Sequence, residues 1–360
     1  MSLTPDECMS RALDLALDYP FTTLPNPRVG AVIVYDGRIL AGGYHRGPGT
    51  PHAEAHAIEV AEKMGFKDFK NAELFVTMEP CCHKNAAKRT PPCAPLIASK
   101  KFKRVWISHL DPNPLVNGKG IQQLKKAGIS VKTGLLGEVT PLINQAFLKN
   151  QKEKKSYVTL KMAMTFDGKM ADDYGKSKWI TTSASRMDAH WLRAKVDAIA
   201  VGRNTIEADN PSLNVRISKL HPIPRKIVIF GQPRNFSNKL KVIKANGKNQ
   251  VLVIDDKKRD LDKLLKELYT QRDICHLLIE GGPHLSGRFL DEGLVDEIVV
   301  YYGKGFLGGQ ATYSLGKDWG SMRLEKAIRF TPDDVRLIGP DVVVQGFMKH
   351  YNPDKKRSGR

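Results

Sequence analysis

The sequence predicts an α/β protein of two domains. Runs with the apolar period of strands alternate with runs of helical period, which is typical of a sheet with helices on its faces. The chain has 360 residues, more than a typical single domain. A lysine-rich segment, residues 149–155, interrupts the apolar pattern. We therefore expect domains over 1–149 and 156–349, a linker over 150–155 and a basic tail over 350–360.

The first half begins with a helix over residues 5–18, because Thr4-Pro5-Asp6-Glu7 joins a capping box to a proline in the first helical position. A hairpin of residues 29–35 and 38–44 follows, turning at Asp36-Gly37. The later elements are a helix over 52–64 stopped by Gly65, strands over 74–77 and 105–108, and a helix over 121–127 stopped by Gly128.

The chemistry-bearing motifs of this half are His52-Ala53-Glu54, Pro80-Cys81-Cys82-His83 and Thr90-Pro91-Pro92-Cys93. One imidazole and two thiolates, from His52, Cys81 and Cys93, make three zinc ligands and leave the fourth tetrahedral position to water. Zinc lowers the pKa of bound water from about 15.7 toward roughly 7, and Glu54 can accept the proton and pass it on. This pattern is typical of zinc deaminases, in which hydroxide attacks an amino-bearing ring carbon. Glu54 is therefore the predicted catalytic residue.

Two alternatives to a catalytic zinc site remain at this point. Cys82 or His83 could close a structural zinc site as a fourth ligand, or the chain could bind no metal. Adjacent cysteines point apart and rarely share one ion, and a closed site would leave Glu54 without a role. The spacing also departs from the usual C-x-x-C, since Cys93 lies twelve residues past Cys81. We favour the catalytic interpretation.

Helix starts are predicted at both ligand motifs. His52 follows Pro51, and His52 and Glu54 can face one cavity only in the first turn of a helix, where the chain is still entering. Cys93 follows two prolines and precedes an apolar run, which also indicates a helix start. The positive end of a helix dipole favours a thiolate there.

Composition limits the possible compartments and partners. Five cysteines, an odd number, and no charged-then-apolar leader indicate a reducing cytoplasm. No run approaches the length of a membrane span. The formal net charge of +19 comes from scattered lysines, with no basic stripe interleaved with aromatic residues. A phosphorylated small substrate accounts for this charge as well as nucleic acid does, and we expect no nucleic-acid or membrane partner.

Two further sets of motifs carry a resemblance to a known family. The first half contains Pro25-Asn26-Pro27-Arg28-Val29-Gly30, Gly43-Tyr44-His45, Thr77-Met78-Glu79-Pro80-Cys81 and Asp111-Pro112-Asn113-Pro114. The second contains Leu160-Lys161-Met162-Ala163, Asp167-Gly168-Lys169, Ser177-Lys178-Trp179-Ile180-Thr181, Leu192-Arg193-Ala194, Ala208-Asp209-Asn210-Pro211 and Glu280-Gly281-Gly282. Together with the zinc motifs, these resemble the bifunctional riboflavin-biosynthesis deaminase/reductases over nearly the whole chain.

The resemblance implies a fold and an activity. It implies an N-terminal cytidine-deaminase-like three-layer domain and a C-terminal dihydrofolate-reductase-like domain. The implied activity is hydrolytic deamination of 2,5-diamino-6-(5-phosphoribosylamino)pyrimidin-4-one, then reduction of the ribosyl group to give 5-amino-6-(5-phosphoribitylamino)uracil. The implied cofactors are one zinc ion per chain and NADPH. The expected partner is this phosphorylated pyrimidine, and we expect a homo-oligomer.

The resemblance also implies binding residues. For the deaminase substrate these are Asn26, His45, Arg89, Asp111 and Asn113. Each has a simpler interpretation: Asn26 lies between prolines and can shape a turn, His45 can be a satisfied histidine at a strand end, and residues 111–114 are also good turn formers.

In the second half, the implied substrate contacts are Ser177, Arg193, Arg216 and Glu280, and the implied NADPH contacts are Ala163, Trp179, Thr205, Asp209, Gly282, Pro283, His284, Leu285, Ser286, Gly287 and Arg288. Arg193 and Arg216 suit a phosphate through bidentate hydrogen bonds. Gly281-Gly282, between a strand over 276–279 and a helix over 284–293, would let backbone amides approach a pyrophosphate. Each of these features has an alternative interpretation. A double glycine is found in any tight turn between a strand and a helix. Trp179 could pack in the core, and Lys161 could be a neutralising or a solvated charge.

The sequence departs from the family pattern between the cysteines. Residues 83–89 are longer than the usual connection by three and lack its glycine, and Cys82 replaces a small residue that is usually serine. Cys82 can be inert or sensitive to oxidation. Two other functions stay open: a deaminase of bases in nucleic acid, and a regulatory protein that has lost turnover. The first would leave the second half idle, and the second is disfavoured because Glu54 and the three ligands are all present.

Overall fold

The structure is a computed structural model that describes residues 2–19, 21–83, 90–217, 223, 225–231, 239–255, 260–309, 314 and 323–348. The chain divides into two compact units, with the boundary between Glu153 and Lys154. Both units are α/β, as the sequence predicts.

Unit 1 contains α1 (Pro5–Asp18), β1 (Gly30–Tyr35), β2 (Arg38–Tyr44), α2 (Ala53–Lys63), β3 (Glu73–Met78), α3 (Cys93–Lys100), β4 (Arg104–His109), α4 (Lys119–Lys126), β5 (Ser130–Thr133), α5 (Val139–Leu142) and α6 (Gln145–Glu153). The capping box is confirmed, since Glu7 N donates to Thr4 Oγ1 and Thr4 N donates to Glu7 Oε2. The hairpin at Asp36-Gly37 is confirmed as well.

Among the described residues of unit 1, five strands form one mixed sheet in the order β2-β1-β3-β4-β5. β1 is antiparallel to β2 and β3, whereas β3, β4 and β5 are parallel. A Cβ on Gly43 of β2 would lie 2.4 Å from the Ala53 carbonyl oxygen, so glycine is what allows α2 to pack this closely. This close packing holds α2 against β2, and the start of α2 lies near the end of β3.

The expected linker over 150–155 differs from the structure, because α6 continues to Glu153. Phe147 and Leu148 are buried, and Lys149 and Asn150 are buried with them. The lysine-rich composition therefore marks the polar end of a packed helix, and the chain leaves it at Lys154.

Unit 2 contains β6 (Tyr157–Thr165), α7 (Ser183–Ala194), β7 (Ala198–Gly202), α8 (Arg203–Asp209), β8 (Lys226–Phe230), α9 (Lys241–Asn246), β9 (Val251–Ile254), α10 (Leu261–Arg272), β10 (His276–Ile279), α11 (Pro283–Asp291), β11 (Glu297–Gly303), β12 (Thr331–Ile338) and β13 (Asp341–Phe347). The unit begins before the expected residue 156, since Lys155 forms an ion pair with Asp262 at the start of α10.

In the part of unit 2 that the structure describes, eight strands form a sheet in the order β12-β13-β11-β6-β10-β7-β8-β9. The strands from β11 to β9 are parallel, and β13 and β12 extend the sheet antiparallel at one end. In open sheets of parallel strands, ligands bind outside the carboxyl ends of the strands. That edge is formed here by the ends of β6, β7, β10 and β11.

Across the described ranges, no helix is both long enough and apolar enough to cross a membrane.

Candidate functional site

The three predicted zinc ligands come together in unit 1. His52 is the N-cap of α2, Cys81 follows β3, and Cys93 is the first residue of α3. Both predicted helix starts are confirmed. The ligand atoms of the three residues lie within 4.8 Å of one another, as one metal ion requires.

The separations between these atoms fit tetrahedral zinc. His52 Nδ1 lies 3.5 Å from Cys81 Sγ and 3.4 Å from Cys93 Sγ. Zinc bonds of about 2.0–2.1 Å to nitrogen and about 2.3 Å to sulfur, set at the tetrahedral angle, give a separation of about 3.6 Å. The geometry and the donor set therefore match a zinc site with three protein ligands.

Thr90 sets the orientation of the His52 ring. Its Oγ1 lies 3.0 Å from His52 Nε2, so the tautomer that carries the proton on Nε2 donates to Thr90 and leaves the Nδ1 lone pair toward the two sulfurs. Such outer hydrogen bonds fix the tautomer of a metal-binding histidine. Thr90 belongs to the Thr90-Pro91-Pro92-Cys93 motif, but the sequence alone indicates no role for it.

Glu54 lies beside the ligands in the first turn of α2 and is 3% exposed. It shares a side-chain hydrogen bond with Cys93. Burial raises the pKa of the Glu54 carboxyl above its usual range. The position of Glu54 in the helix entrance is the one that the sequence predicts.

Asn26 and His45 also meet near this cluster. Asn26 Nδ2 donates to His45 Nε2 at 2.9 Å, and His45 Nδ1 donates to the Pro51 carbonyl at 3.1 Å. Burial lowers the pKa of His45 to about 4, consistent with a neutral ring that accepts one hydrogen bond and donates the other. The His45 ring packs edge-on against His52 with centroids 5.0 Å apart. His45 thus orients Asn26 next to the zinc ligands.

Asp111 and Asn113 lie in the loop that follows β4. Asp111 Oδ1 accepts from Asn113 N at 2.8 Å, and Asn113 Oδ1 accepts from Leu115 N at 3.0 Å. The turn chemistry expected for this segment is therefore present. Arg89, the remaining predicted contact, lies outside the described residues.

In unit 2, Arg193 and Glu280 form a buried ion pair. Arg193 at the end of α7 donates from Nε and Nη2 to the two oxygens of Glu280, at 2.6 and 2.7 Å. The two side chains are 15% and 9% exposed. Burial acts to raise the pKa of Glu280, but the charge and hydrogen bonds of Arg193 outweigh it and hold that pKa at about 2. The bidentate bonds expected toward a phosphate are thus directed to Glu280 in this structure.

Other ionisable groups surround this pair. Exposed Arg216 donates its backbone N–H to His190 Nδ1 at 3.0 Å and its side chain to Asn214. Burial, together with the charges of Arg193 and Arg216, lowers the pKa of His190 to about 4. Lys161 on β6 has its ammonium 5.3 Å from the centre of the Tyr301 ring, and burial lowers the pKa of Lys161 while Glu280 opposes this.

The predicted cofactor residues lie along the carboxyl edge of the unit 2 sheet. Thr205 and Asp209 are on α8 after β7, Gly282 caps α11 after β10, and Ala163 is near the end of β6. A Cβ on Gly282 would meet nothing within 4 Å, so the backbone there is open to approach. The surroundings of Gly282 therefore fit a cofactor pyrophosphate.

Four of the predicted cofactor contacts differ from this arrangement. Leu285 packs in the core, Ser286 and Gly287 are buried inside α11, and Arg288 pairs with Glu292 at 2.9 Å. The predicted set follows α11 as far as residue 288, but a helix turns successive residues away from the edge of the sheet, and residues 282–284 are the ones at the start of this helix.

Ser177 and Trp179 belong to the loop between β6 and α7. Lys178 in this loop forms an ion pair with Asp209 at 3.1 Å, which ties the loop to α8. Trp179 is 70% exposed with the Arg186 guanidinium 4.1 Å from its ring centre, so it is not core packing. The loop also touches β11, since a Cβ on Gly303 would lie 2.0 Å from the Ile180 carbonyl oxygen.

Comparison with known families matches both halves. The family model of the RibD C-terminal domain matches residues 156–344, and that of the cytidine and deoxycytidylate deaminase zinc-binding region matches residues 4–109. The riboflavin biosynthesis protein RibD of Aquifex aeolicus is 36% identical over 363 residues, covering 95% of this chain and 98% of the relative. This chain belongs to the RibD family. The RibD of Escherichia coli is 37% identical over 364 residues, with coverages of 93% and 96%.

Solved RibD structures share this fold. RibD of Acinetobacter baumannii is similar with a TM-score of 0.84 at 34% identity, covering 95% of this chain and 98% of that one. A deaminase/reductase from Thermotoga maritima is similar with a TM-score of 0.83 at 33% identity and the same coverages. The expected family is confirmed: the chain is a bifunctional deaminase and reductase of riboflavin biosynthesis that uses zinc and NADPH.

Proposed function

We propose that unit 1 hydrolyses the exocyclic amino group of 2,5-diamino-6-(5-phosphoribosylamino)pyrimidin-4-one, and that unit 2 then reduces the ribosyl group of the product to 5-amino-6-(5-phosphoribitylamino)uracil. The observation that carries the first step is the His52, Cys81 and Cys93 cluster with Glu54 beside it. The second step is supported by the Arg193–Glu280 pair near the edge that carries the cofactor residues. The Thermotoga maritima relative is named for the same two activities.

In unit 1, His52, Cys81 and Cys93 would hold the zinc ion. When bound, zinc acidifies a water molecule for attack on the pyrimidine carbon. Glu54 accepts the proton of that water at its carboxylate and delivers it to the departing amino group, so that ammonia leaves. Asn26, held by His45, binds a polar edge of the ring, and Asp111 and Asn113 border the site. Arg89 is a further proposed substrate contact.

In unit 2, Thr205, Asp209, Trp179, Ala163 and residues 282–284 would hold NADPH. When bound, NADPH supplies the hydride for C1′ of the ribosyl group. Lys161 is a proton carrier on the α7 face of the sheet, and its lowered pKa suits it to protonate the ring oxygen as the sugar opens.

The remaining predicted substrate contacts of unit 2 differ in how far their side chains are exposed to solvent. Arg216 is exposed and suits the substrate phosphate, as does Ser177 in the loop before α7. Arg193 donates from Nε and Nη2 to the Glu280 carboxylate and from Nη1 to the Asn214 carbonyl oxygen. Its role is therefore to position Glu280 and not to bind the phosphate.

A direct assay separates the two steps. Purified protein given the diaminopyrimidinone substrate should release ammonia without NADPH, and should oxidise NADPH only after ammonia has been released. Oxidation of NADPH with no ammonia release would contradict the proposed order.

The zinc assignment gives a prediction of its own. Purified protein should carry about one zinc ion per chain, and Cys93→Ser should empty the site, because two ligands hold zinc far more weakly than three. Cys82→Ser is the matched control, since Cys82 Sγ lies 3.8 Å from the Leu115 carbonyl oxygen and the clustered ligand atoms belong to His52, Cys81 and Cys93. Elemental analysis that found zinc kept in Cys93→Ser and lost in Cys82→Ser would move the second thiolate to Cys82.

We also propose a cytoplasmic homo-oligomer. None of the five cysteines, all of them within the described residues, forms a disulfide, in keeping with a reducing compartment. At the end of the unit 2 sheet, β12 exposes 63% of Val335 and 74% of Leu337 on one face. Such an apolar sheet face is costly in water and suits a second copy of the chain.

Charge placed in this face should dissociate the oligomer. Leu337→Glu should lower the mass in solution to that of one chain, because burying a lone carboxylate in an apolar interface is unfavourable. Light scattering measures the mass, with Leu17→Glu on the exposed side of α1 as the control. An unchanged mass in Leu337→Glu would place the interface elsewhere.

A further inference from the structure

The motif Thr77-Met78-Glu79-Pro80-Cys81 contains two buried polar side chains with no part in the chemistry described so far. Thr77 is fully buried and accepts from Gly30 N at 3.1 Å, which ties β3 to the segment that carries Asn26. Glu79 is 3% exposed and lies two residues before the zinc ligand Cys81. A buried carboxylate is costly unless it is hydrogen-bonded, so its partners indicate what it does.

The Glu79 carboxylate binds backbone N–H groups at both ends of one loop. Its Oε2 accepts from Asp111 N at 3.4 Å and from Gly118 N at 2.9 Å, and its Oε1 accepts from Ile121 N at 3.2 Å. Residues 111–118 therefore leave β4 and enter α4 while attached to a single side chain. Glycine at position 120 is part of this attachment, because a Cβ there would lie 2.2 Å from the Pro80 carbonyl oxygen.

The loop between these attachment points has an internally bonded shape. Asp111 and Asn113 each accept a backbone N–H two residues ahead, and Val116 N and Asn117 N donate to the Asn113 carbonyl at 2.8 and 2.9 Å. Val116 is 1% exposed and anchors the loop in the core. The loop also touches the ligand segment directly, through Cys82 Sγ and the Leu115 carbonyl. Glu79 therefore makes three of the hydrogen bonds that set the position of the loop relative to Cys81.

We propose that Glu79 is a positioning residue of the deaminase, which fixes the loop of residues 111–118 at the distance from the zinc ligands that the substrate requires. This rests on the proposed deamination by unit 1. Glu79 acts through the loop and touches neither the reacting atoms nor the metal. Its loss therefore weakens substrate binding and leaves zinc in place.

The test is Glu79→Gln in the full chain. The amide keeps one oxygen but turns an NH₂ group toward a backbone N–H, so at least one attachment is lost. We expect the KM for the diaminopyrimidinone substrate to rise at least about tenfold, while kcat changes by less than about threefold and zinc content stays at the wild-type value. NADPH binding reports on unit 2 and should not change.

A second variant disturbs the same attachment while the Glu79 side chain itself is retained. Gly120→Ala pushes α4 away from Pro80 and should produce the same rise in KM with zinc retained. If Glu79→Gln does not accumulate as folded protein, Gly120→Ala decides the outcome. The matched control is Glu73→Gln at the other end of β3, where the carboxylate binds Trp106 Nε1 at 2.6 Å and lies far along the strand from the loop.

The possible results separate the two proposals. Unchanged KM in both Glu79→Gln and Gly120→Ala, with active wild type, would overturn the role of Glu79 alone. Loss of zinc in Glu79→Gln would also overturn it, because Glu79 would then hold the ligand segment. Absence of ammonia release by wild type would overturn the proposed deamination and, with it, this role of Glu79.

Discussion

Replacing Glu54 by glutamine should leave zinc bound and slow deamination by at least about 100-fold, the usual size of a general acid/base contribution. The amide has nearly the same shape as the carboxyl, so α2 and the His52 position should be kept. Glutamine cannot accept a proton from water or deliver one to the departing amino group. Ammonia release in single-turnover conditions measures the loss, and elemental analysis measures the zinc.

Two controls accompany this variant. Glu59→Gln changes a glutamate on the exposed side of the same helix, where it pairs with Lys63 at 2.6 Å, and should leave ammonia release unchanged. Reduction of the deaminated intermediate should be unchanged in Glu54→Gln, since unit 2 has its own core and sites. Ammonia release near the wild-type rate in Glu54→Gln would exclude Glu54 as the proton carrier.

The zinc cluster could be predicted from sequence because its residue types form a recognisable zinc-deaminase pattern, although Cys81 and Cys93 lie 29 and 41 residues along the chain from His52. Two of its ligands, His52 and Cys93, lie at helix starts, and each follows a proline that predicts such a start. A helix start fixes where the next side chains point. The α/β class follows from strand and helix periods. The structure adds the contacts that turn these local features into one site, such as the hydrogen bond between Thr90 and His52.

Long-range pairings could not be predicted in this way. Arg193 and Glu280 are 87 residues apart, and each is a reasonable phosphate or substrate contact when taken alone. Only the packing of α7 against the end of β10 shows that they bind each other. The extent of the linker has a related explanation: the lysines of residues 149–155 suggest solvent, but the burial of Phe147 and Leu148 keeps α6 helical to Glu153, and the boundary between the units still lies within the predicted segment.

Arg193→Ala should destabilise unit 2 by about 3–5 kcal/mol, the usual cost of removing one partner from a buried ion pair. The Glu280 carboxylate would remain buried, with the positive charge and two hydrogen bonds of Arg193 gone. Thermal or denaturant unfolding followed by a probe in unit 2 measures the change. The surface pair of Arg288 and Glu292 is the control, and Arg288→Ala should cost about 1 kcal/mol or less.

Arg193→Met combined with Glu280→Met should recover most of that stability, since apolar residues of similar volume can replace a buried ion pair. The double variant should still bind the deaminated intermediate about tenfold to hundredfold more weakly, because the Glu280 carboxylate no longer contacts the substrate, while its affinity for NADPH stays nearly constant. Loss of NADPH binding with the intermediate still bound would assign the pair to the cofactor instead.

Acid unfolding should distinguish wild type from the double variant. The pKa of Glu280 is about 2 in the folded protein and near 4.5 in its ordinary state, so folding favours the ionised form. The stability that this group contributes is therefore fully present above about pH 4.5 and is lost as the pH falls toward 2. Wild-type unit 2 should lose stability through this range more steeply than the double variant, which has no carboxyl at position 280. Equal slopes in the two proteins would mean that Arg193 does not hold the Glu280 carboxylate in solution.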